Sequence, residues 1–300
     1  MAKKRRKGKK SKNSLLTLII AVVVIAFSFF FGEAEPGKVT NAFLGDGETH
    51  VHIIDVGQGS ATLIQEGNKG ILIDTGEDDY GDYLISYINS CGVDRLEYVV
   101  ASHPHSDHIG AIVDVFKAFD VGAVVMPELS EKNIPTTRVY EKMMEYIFDK
   151  DMDVIFPSVG ETIHLVNTSL SFLGPVKQTD DLNNMSLICR VNTIGGTKVM
   201  ILGDAEKEEL SSVYETVSGV YKSDILVMGH HGSRTSVYKP LLNAVDASVA
   251  VISCGRDNDY GHPHKEALNY VSQEGLTLYR TDKDGDIVFK CTAEGFEKVN

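Results

Sequence analysis

The segment His-Pro-His-Ser-Asp-His at 103–108 constrains this chain more than any other, because three imidazoles and a carboxylate stand within six positions. It directly follows an apolar run that predicts a β-strand and precedes an apolar run that predicts a helix. Alternate residues of an extended segment share a face, so His103 and His105 can reach one ion together. Asp107 and His108 follow where the chain turns, and they can reach a neighbouring ion. The segment therefore predicts a strand that ends in a loop with two adjacent metal sites.

Further candidate ligands also follow strand-like apolar runs. Asp204 comes directly after one such run and a glycine, and its two carboxylate oxygens can bridge two ions. His230 and His231 follow a second run, and His262 and His264 come after a third. Seven of the ten histidines thus fall into three clusters, and both halves of the chain contribute ligands. This distribution predicts a site that lies between two sheets.

Short apolar strands alternate with amphipathic segments from residue 50 onwards, a pattern typical of a mixed α/β domain. The segment Lys265 to Gln273 predicts one of the later helices. At the carboxyl end, 277–280 and 286–290 predict a closing β-hairpin around a glycine-containing turn.

The first 32 residues differ from the rest of the chain. Eight Lys and Arg residues precede an uncharged apolar run of seventeen residues, which is the short end of a membrane span at about 1.5 Å per residue. A signal-peptide cleavage site needs small residues after the run, and Glu33 fits that pattern poorly. We therefore predict a single-pass protein of the cell membrane whose catalytic domain is extracellular, with a cleaved signal and a secreted domain as the alternative. The predicted parts are a basic cytoplasmic tail at 1–13, a transmembrane helix at 14–32, a linker at 33–49 and a folded domain at 50–300.

Charge and cysteine content limit the partners of that domain. Apart from the eight basic residues of the tail, the chain has 21 basic residues against 42 acidic ones. Proteins that grip long nucleic acids through phosphate contacts carry basic runs, and this domain has none in sequence, although a basic groove can still form in three dimensions. The four cysteines are widely spaced without a CxxC pair, so disulfides are neither required nor excluded.

Several motifs together resemble a known family. The His cluster at 103–108, Ile-Asp-Thr-Gly at 73–76 and Gly-Asp at 203–204 resemble the metallo-β-lactamase superfamily. Finer motifs are similar to the soluble C-terminal domain of ComEC-type competence proteins, which take up DNA. These motifs lie at 55–59, 183–187, 230–236 and 258–263.

The resemblance implies an αββα sandwich with two divalent metal ions, Zn or Mn, along one edge. It implies that His103 and His105 hold one ion, that Asp107 and His108 hold the other, and that Asp204 bridges them. One of His230 and His231 would complete the second site, and the sequence does not decide which. Asp74 would support the ligand loop from behind.

Two departures from the family pattern affect these expectations. Many members place another His before the bridging Asp, whereas this chain offers Asp180, Asp181, Asn183 and Asn184 in that region. Fewer nitrogen ligands leave room for water, which makes Mn²⁺ a candidate beside Zn²⁺. ComEC proteins are also polytopic channels, whereas one predicted span does not make a channel.

A two-metal site of this kind implies hydrolysis of a phosphodiester. The predicted catalytic residues are Asp107, His230, His231 and His262, with His262 or the non-ligand member of the 230/231 pair as proton donor to the leaving group. Residues expected around the site or on the substrate are Asp55, Asp74, Asn184, Ser233 and Arg234. Three functions stay open: a membrane-anchored nuclease acting on DNA, a phosphodiesterase for small or wall-linked esters, and a noncatalytic DNA-binding or competence accessory protein.

Overall fold

The computed structural model describes residues 48–299, which include nearly all of the predicted domain. The predicted basic tail, the apolar segment 14–32 and almost all of the linker lie outside these residues. Among the helices of residues 48–299, none is both long enough and apolar enough to cross a membrane.

The first sheet has eight strands in the order β15-β14-β1-β2-β3-β4-β5-β6. Strands β3 to β6 run parallel to one another, whereas the pairs between β15 and β3 are antiparallel. The strands are β1 (Thr49–Ile53), β2 (Thr62–Glu66), β3 (Lys69–Ile73), β4 (Arg95–Val100), β5 (Asp120–Val125), β6 (Val154–Ile155), β14 (Ile287–Thr292) and β15 (Gly295–Lys298).

The second sheet has seven strands in the order β13-β12-β11-β10-β9-β8-β7. Strands β10 to β13 run parallel, and β7 to β10 pair antiparallel. The strands are β7 (Thr162–Leu165), β8 (Thr168–Gly174), β9 (Ile188–Asn192), β10 (Lys198–Ile201), β11 (Ile225–Val227), β12 (Val249–Ile252) and β13 (Thr277–Arg280).

Helices cover the outer face of each sheet. Those in residues 48–299 are α1 (Gly81–Ser90), α2 (Ser106–Ile109), α3 (Ile112–Ala118), α4 (Arg138–Asp149), α5 (Lys207–Thr216), α6 (Lys239–Val245), α7 (Lys265–Gln273) and α8 (Thr281–Asp284). Helices α1, α3 and α4 pack on the first sheet, and α5, α6 and α7 pack on the second.

The buried core lies in three layers because each strand presents alternate side chains to opposite faces. In β3, Ile71 and Ile73 face the second sheet, whereas Leu72 faces the helices. Helix α4 places Tyr140 and Ile147 on one side by its helical spacing, and both pack into the outer layer. The order of layers is helix, sheet, sheet, helix, which confirms the predicted αββα sandwich.

The predicted hairpin of 277–280 with 286–290 is wrong. Strand β13 closes the edge of the second sheet, whereas β14 pairs with β1 in the first sheet. Helix α8 connects them, and its Thr281 hydroxyl accepts from the Cys254 N–H (2.9 Å) and donates to the Cys254 carbonyl (3.0 Å). This anchor holds the connection against the end of β12, so β14 can cross to the other sheet and form its hairpin with β15. All four cysteines are free thiols.

Candidate metal centre

Loops that follow parallel strands of both sheets meet at one edge of the sandwich. The loop after β4 carries the 103–108 cluster, and the loops after β10, β11 and β12 carry Asp204, the His230/His231 pair and His262. Together they border a cleft of about 350 Å³. Its lining residues are Gln58, His105, Ser106, Asp107, Thr137, Asn183, Asp204, His230, His231, Tyr260 and His262.

Four predicted ligands converge at the floor of this cleft. Asp107, His108, Asp204 and His231 each offer one donor atom, and these atoms all lie within 4.8 Å of one another. His231 Nε2 lies 3.1 Å from Asp107 Oδ2 and 3.6 Å from Asp204 Oδ2. His108 Nε2 lies 3.2 Å from Asp204 Oδ1. Two residues come from each sheet's loops, so the group joins the two halves of the sandwich.

Two atoms of this group lack a partner that a bound metal ion would supply. His108 Nε2 and Asp204 Oδ1 are buried and have no hydrogen-bond partner. Buried polar atoms in folded proteins are nearly always hydrogen-bonded, so an unpartnered nitrogen and oxygen that face each other need another explanation. Imidazole nitrogen and carboxylate oxygen are the donors that Zn²⁺ and Mn²⁺ accept. The residues present therefore fit a divalent ion.

A second pair of donors lies beside the first group. His103 Nε2 is 3.1 Å from His105 Nδ1, and it is 3.8 Å from Asp204 Oδ2. His103 is fully buried, whereas His105 is partly exposed to the cleft. The Asp204 carboxylate therefore lies within 4 Å of histidines of both groups, with Oδ2 near His103 and His231 and Oδ1 near His108.

The structure places His231 rather than His230 among the four converging ligands. Both residues have left-handed backbones, with φ of 50° and 53°, a conformation that is strained for residues other than glycine. The His231 Nδ1 donates to the Ser253 carbonyl at 3.0 Å, which leaves Nε2 directed at Asp107. His230 points its Nδ1 at Glu206 Oε1, 3.3 Å away, and its Nε2 lies 3.7 Å from Asp204 Oδ2.

Asp74 holds the ligand loop from behind, as the resemblance implied. Its carboxylate accepts from the Ser102 N–H and from the Ser102 hydroxyl, each at 2.7 Å. It also accepts from His108 Nδ1 at 2.7 Å. A histidine that donates from Nδ1 keeps its Nε2 lone pair free for the centre.

Charges within the group shift its pKa values in opposite directions. Burial lowers the pKa of His108, but the Asp204 and Asp74 carboxylates outweigh it and raise that pKa well above its usual range. Burial raises the pKa of Asp204, but the charges of His108 and His231 hold it well below its usual range. A divalent ion held by these groups would compete with protons for the same lone pairs, so its binding would weaken as the pH falls.

His262 stands above the ligands and has a defined tautomer. Gln58 Oε1 accepts from the Gly255 N–H at 3.0 Å, which turns its Nε2 toward His262 Nδ1 at 3.5 Å. An amide nitrogen only donates, so Nδ1 accepts and the ring proton sits on Nε2. Burial, together with the charge of His231, lowers the pKa of His262 to about 4. At neutral pH the ring is therefore an uncharged N–H donor.

Four residues expected around the site lie outside the cleft lining: Asp55, Asn184, Ser233 and Arg234. The Arg234 side chain is exposed to solvent. In the other three, a side-chain oxygen accepts a backbone N–H, which lies in the same loop for Asp55 and Ser233 and in the loop after β10 for Asn184. Asp55 accepts from Gly57 at 3.2 Å, Asn184 from Glu206 at 2.9 Å and Ser233 from Thr235 at 3.3 Å.

Five residues that line the cleft were not among the predicted site residues: Ser106, Thr137 and three that lie in motifs quoted above. Gln58 lies between two glycines of a motif quoted above, and Asn183 was considered only as a replacement for a missing His. Tyr260 comes two residues before His262. The signal that could have identified all three is their position in motifs that surround the ligands.

Sequence comparison places these features in a known family. Residues 54–256 match the model of the metallo-beta-lactamase superfamily. The chain is 27% identical over 264 residues to ComE operon protein 3 of Bacillus subtilis, covering 81% of this chain and 33% of that protein. It is 30% identical over 246 residues to competence protein ComA of Neisseria gonorrhoeae, covering 81% and 32%. The predicted resemblance to ComEC-type competence proteins is confirmed, and the chain spans about a third of the length of these relatives.

Solved structures share the fold at low sequence identity. YhfI of Bacillus subtilis, a metallo-beta-lactamase fold protein, aligns with a TM-score of 0.53 at 14% identity, covering 82% of this chain and all of that one. Igni18, a metallo hydrolase of Ignicoccus hospitalis, aligns with a TM-score of 0.51 at 15% identity, covering 80% and 99%. From its sequence match, its two-sheet sandwich and its converging His and Asp ligands, this chain belongs to the metallo-β-lactamase superfamily.

Proposed function

We propose that this protein is a two-metal phosphodiesterase that cleaves nucleic acid, as a nuclease of the ComEC type. The observation that carries the proposal is the position of Asp204 between two sets of donors. Its Oδ1 lies 3.2 Å from His108, and its Oδ2 lies 3.8 Å from His103 and 3.6 Å from His231. One carboxylate within reach of two donor sets is an arrangement that can bridge a pair of ions.

In this proposal His103, His105 and Asp204 hold one divalent ion, and Asp107, His108, His231 and Asp204 hold the other. Two such ions activate water and neutralise the charge of a phosphodiester as its bond to the leaving oxygen breaks. The protein contributes rigid ligands, because Asp74 and the Ser253 carbonyl fix His108 and His231 by hydrogen bonds.

His262 donates a hydrogen bond to the leaving oxygen in this scheme. It borders the cleft beside His231, with the two ring centres 6.0 Å apart. Because Gln58 faces its Nδ1, the proton that it can donate is on Nε2. A neutral imidazole is a weaker acid than a charged one, so His262 stabilises the departing oxygen first by a hydrogen bond.

The predicted location is part of the proposal. A basic tail followed by an apolar run of seventeen residues favours a membrane anchor with the catalytic domain outside. The relatives named for competence support a role in handling DNA at the cell surface.

The test is hydrolysis by the full-length protein loaded with Mn²⁺ or Zn²⁺. We expect cleavage of DNA oligonucleotides as well as of bis(p-nitrophenyl) phosphate, a small diester. Asp107→Ala and Asp204→Ala each remove a ligand, and we expect both to reduce hydrolysis to the level of the metal-free protein. Asp114→Ala is the control, because Asp114 is exposed on α3, does not line the cleft and pairs with Lys117 at 2.8 Å.

The outcomes separate the alternatives. Cleavage of the small diester without cleavage of DNA would reject the nuclease and favour an enzyme for small esters. Full activity in Asp204→Ala would reject the two-metal mechanism. Metal binding without hydrolysis of any diester would favour the noncatalytic protein.

A further inference from the structure

Tyr260 is the most exposed large apolar side chain in residues 48–299, with 69% of its surface accessible. It also lines the cleft above the metal centre. Exposed aromatic rings cost hydrophobic free energy, and beside a binding cleft they are typical of ligand contacts.

Tyr260 continues a series of rings that leads from the ligands to the rim of the cleft. Its ring stacks on His262 at 5.7 Å between centres, with 18° between the planes. His262 in turn stacks on His231 at 6.0 Å and 29°. A planar group that stacks on the open face of Tyr260 is therefore separated from the predicted ligand His231 by two rings, those of Tyr260 and His262.

The loop that carries Tyr260 is held in place before any ligand binds. The Asn258 amide nitrogen donates to the carbonyls of Gly255 (2.9 Å) and His262 (2.7 Å). The Asn258 Oδ1 accepts from the His262 N–H at 2.9 Å. These three bonds close the turn around Tyr260, so little conformational entropy is lost when a ligand stacks on it.

Charge around the cleft limits how a polynucleotide can bind. The residues that line the cleft include no Lys or Arg, and the chain outside the basic tail has twice as many acidic as basic residues. Neutralisation of phosphates by basic side chains, the usual source of affinity for duplex DNA, is therefore weak here. Stacking of bases on aromatic rings does not depend on protein charge.

From these observations we propose that Tyr260 is a stacking platform for an unpaired base next to the scissile phosphodiester, which makes single-stranded nucleic acid the preferred substrate. This inference rests on the proposed nuclease function. A duplex covers both faces of each base inside the helix, whereas a single strand exposes them. The platform thus selects strands by the accessibility of their bases rather than by their charge.

The test compares three substitutions in the full-length protein: Tyr260→Ala, Tyr260→Leu and Tyr260→Phe. Binding of a fluorescein-labelled single-stranded DNA of twelve nucleotides, and of its duplex, is measured by anisotropy in EDTA, so that no cleavage occurs. We expect the unsubstituted protein to bind the single strand more tightly than the duplex. We expect the affinity for the single strand to fall about 10-fold or more in Tyr260→Ala and to stay unchanged in Tyr260→Phe. Tyr260→Leu still covers His262 but has no π face, so we expect it to behave like the Ala variant.

Two comparisons make the result specific. Tyr214→Ala removes another exposed tyrosine that does not line the cleft, and we expect binding to stay unchanged. With Mn²⁺ present, we expect Tyr260→Ala to lower kcat/KM for the oligonucleotide about 10-fold more than for bis(p-nitrophenyl) phosphate.

Equal binding by the Ala variant and the unsubstituted protein, or preference for the duplex, would overturn the inference. An equal loss of affinity for the single strand in the Leu and Phe variants would also overturn it, because packing alone would then explain the effect. Tyr260-dependent binding without any DNA cleavage would reject the nuclease function and support the platform.

Discussion

At Asp74 a backbone conformation and a side-chain role depend on the same residue type. Its φ is +61°, in the left-handed region that Asp and Asn adopt more readily than other residues with a side chain. From this position the carboxylate accepts three hydrogen bonds, two from Ser102 and one from His108. Asp74 thus helps to fix the ligand loop although it does not line the cleft.

Asp74→Asn keeps the backbone preference and removes an acceptor. The amide nitrogen cannot accept from the Ser102 hydroxyl or from His108 Nδ1, so the His108 ring loses its fixed orientation. We expect metal affinity to fall about 10- to 100-fold with the fold intact. Titration against a chelator of known affinity measures this.

Asp246→Asn is the matched control. Asp246 also has a left-handed backbone, with φ of 51°, but it is exposed and pairs with Lys222. The metal affinity of the Asp246→Asn variant should equal that of the unsubstituted protein. An unchanged affinity in Asp74→Asn would show that Asp74 does not orient His108.

Individual ligands were predictable from spacing, whereas the choice between neighbours was not. His103 and His105 follow from an extended segment that ends a strand, and Asp107 follows from the turn after it. His231 could not be separated from His230, because the choice depends on two left-handed residues and on the carbonyl of Ser253, 22 residues away. The types of the residues at 230 and 231 do not indicate their φ angles or a contact with a distant backbone carbonyl.

At the scale of elements, local patterns predicted helices better than strand pairing. Helix α7 has the predicted bounds, Lys265 to Gln273, because its apolar spacing is local. Strand β5 was not predicted because Gly122 interrupts it, and a Cβ there would lie 2.5 Å from the Glu97 carbonyl of the adjacent strand. The partner of β14 is β1, more than 230 residues earlier, which no local turn signal could reveal.

Helix α5 carries a buried carboxylate that makes its packing depend on pH. Glu209 is 1% exposed and accepts from the Val176 N–H at 2.7 Å. Burial raises the pKa of Glu209 from 4.5 to about 7. Between these values the folded protein holds a proton that the unfolded chain has lost, so this residue makes the free energy of unfolding fall as the pH rises through this range.

Glu209→Gln tests this linkage, because glutamine keeps the shape and the acceptor without the charge. We expect equal stability of the two proteins at about pH 4 and an advantage of about 1–2 kcal/mol for the Gln variant at about pH 8. Urea denaturation across this range measures the difference. Glu208→Gln, on the exposed side of α5, should show no such trend; a difference independent of pH at Glu209 would contradict the assignment.

For the whole molecule, the candidate metal centre is one of the contacts between the two sheets, which are also held by apolar packing and by buried hydrogen bonds such as that from Thr168 to Glu66. Asp107 and His108 follow β4 of the first sheet, whereas Asp204 and His231 follow β10 and β11 of the second. An ion bound by all four joins residues 124 positions apart, from Asp107 to His231. Such an ion binds the folded chain only, since the unfolded chain does not gather these ligands.

Metal removal should therefore lower the stability of the entire domain. At a free metal concentration of 100 times Kd, binding raises the free energy of unfolding by about 2.7 kcal/mol. This increase corresponds to roughly 5–10 °C in Tm for a domain of this size. We expect calorimetry to show one transition that moves down by this amount in EDTA and returns with Mn²⁺ or Zn²⁺. Asp204→Ala should lose the metal-dependent part while Asp114→Ala keeps it. A metal-dependent change of Tm in Asp204→Ala equal to that of the unsubstituted protein would mean that the stabilising ion binds elsewhere. Two separate transitions would mean that the two sheets do not unfold together.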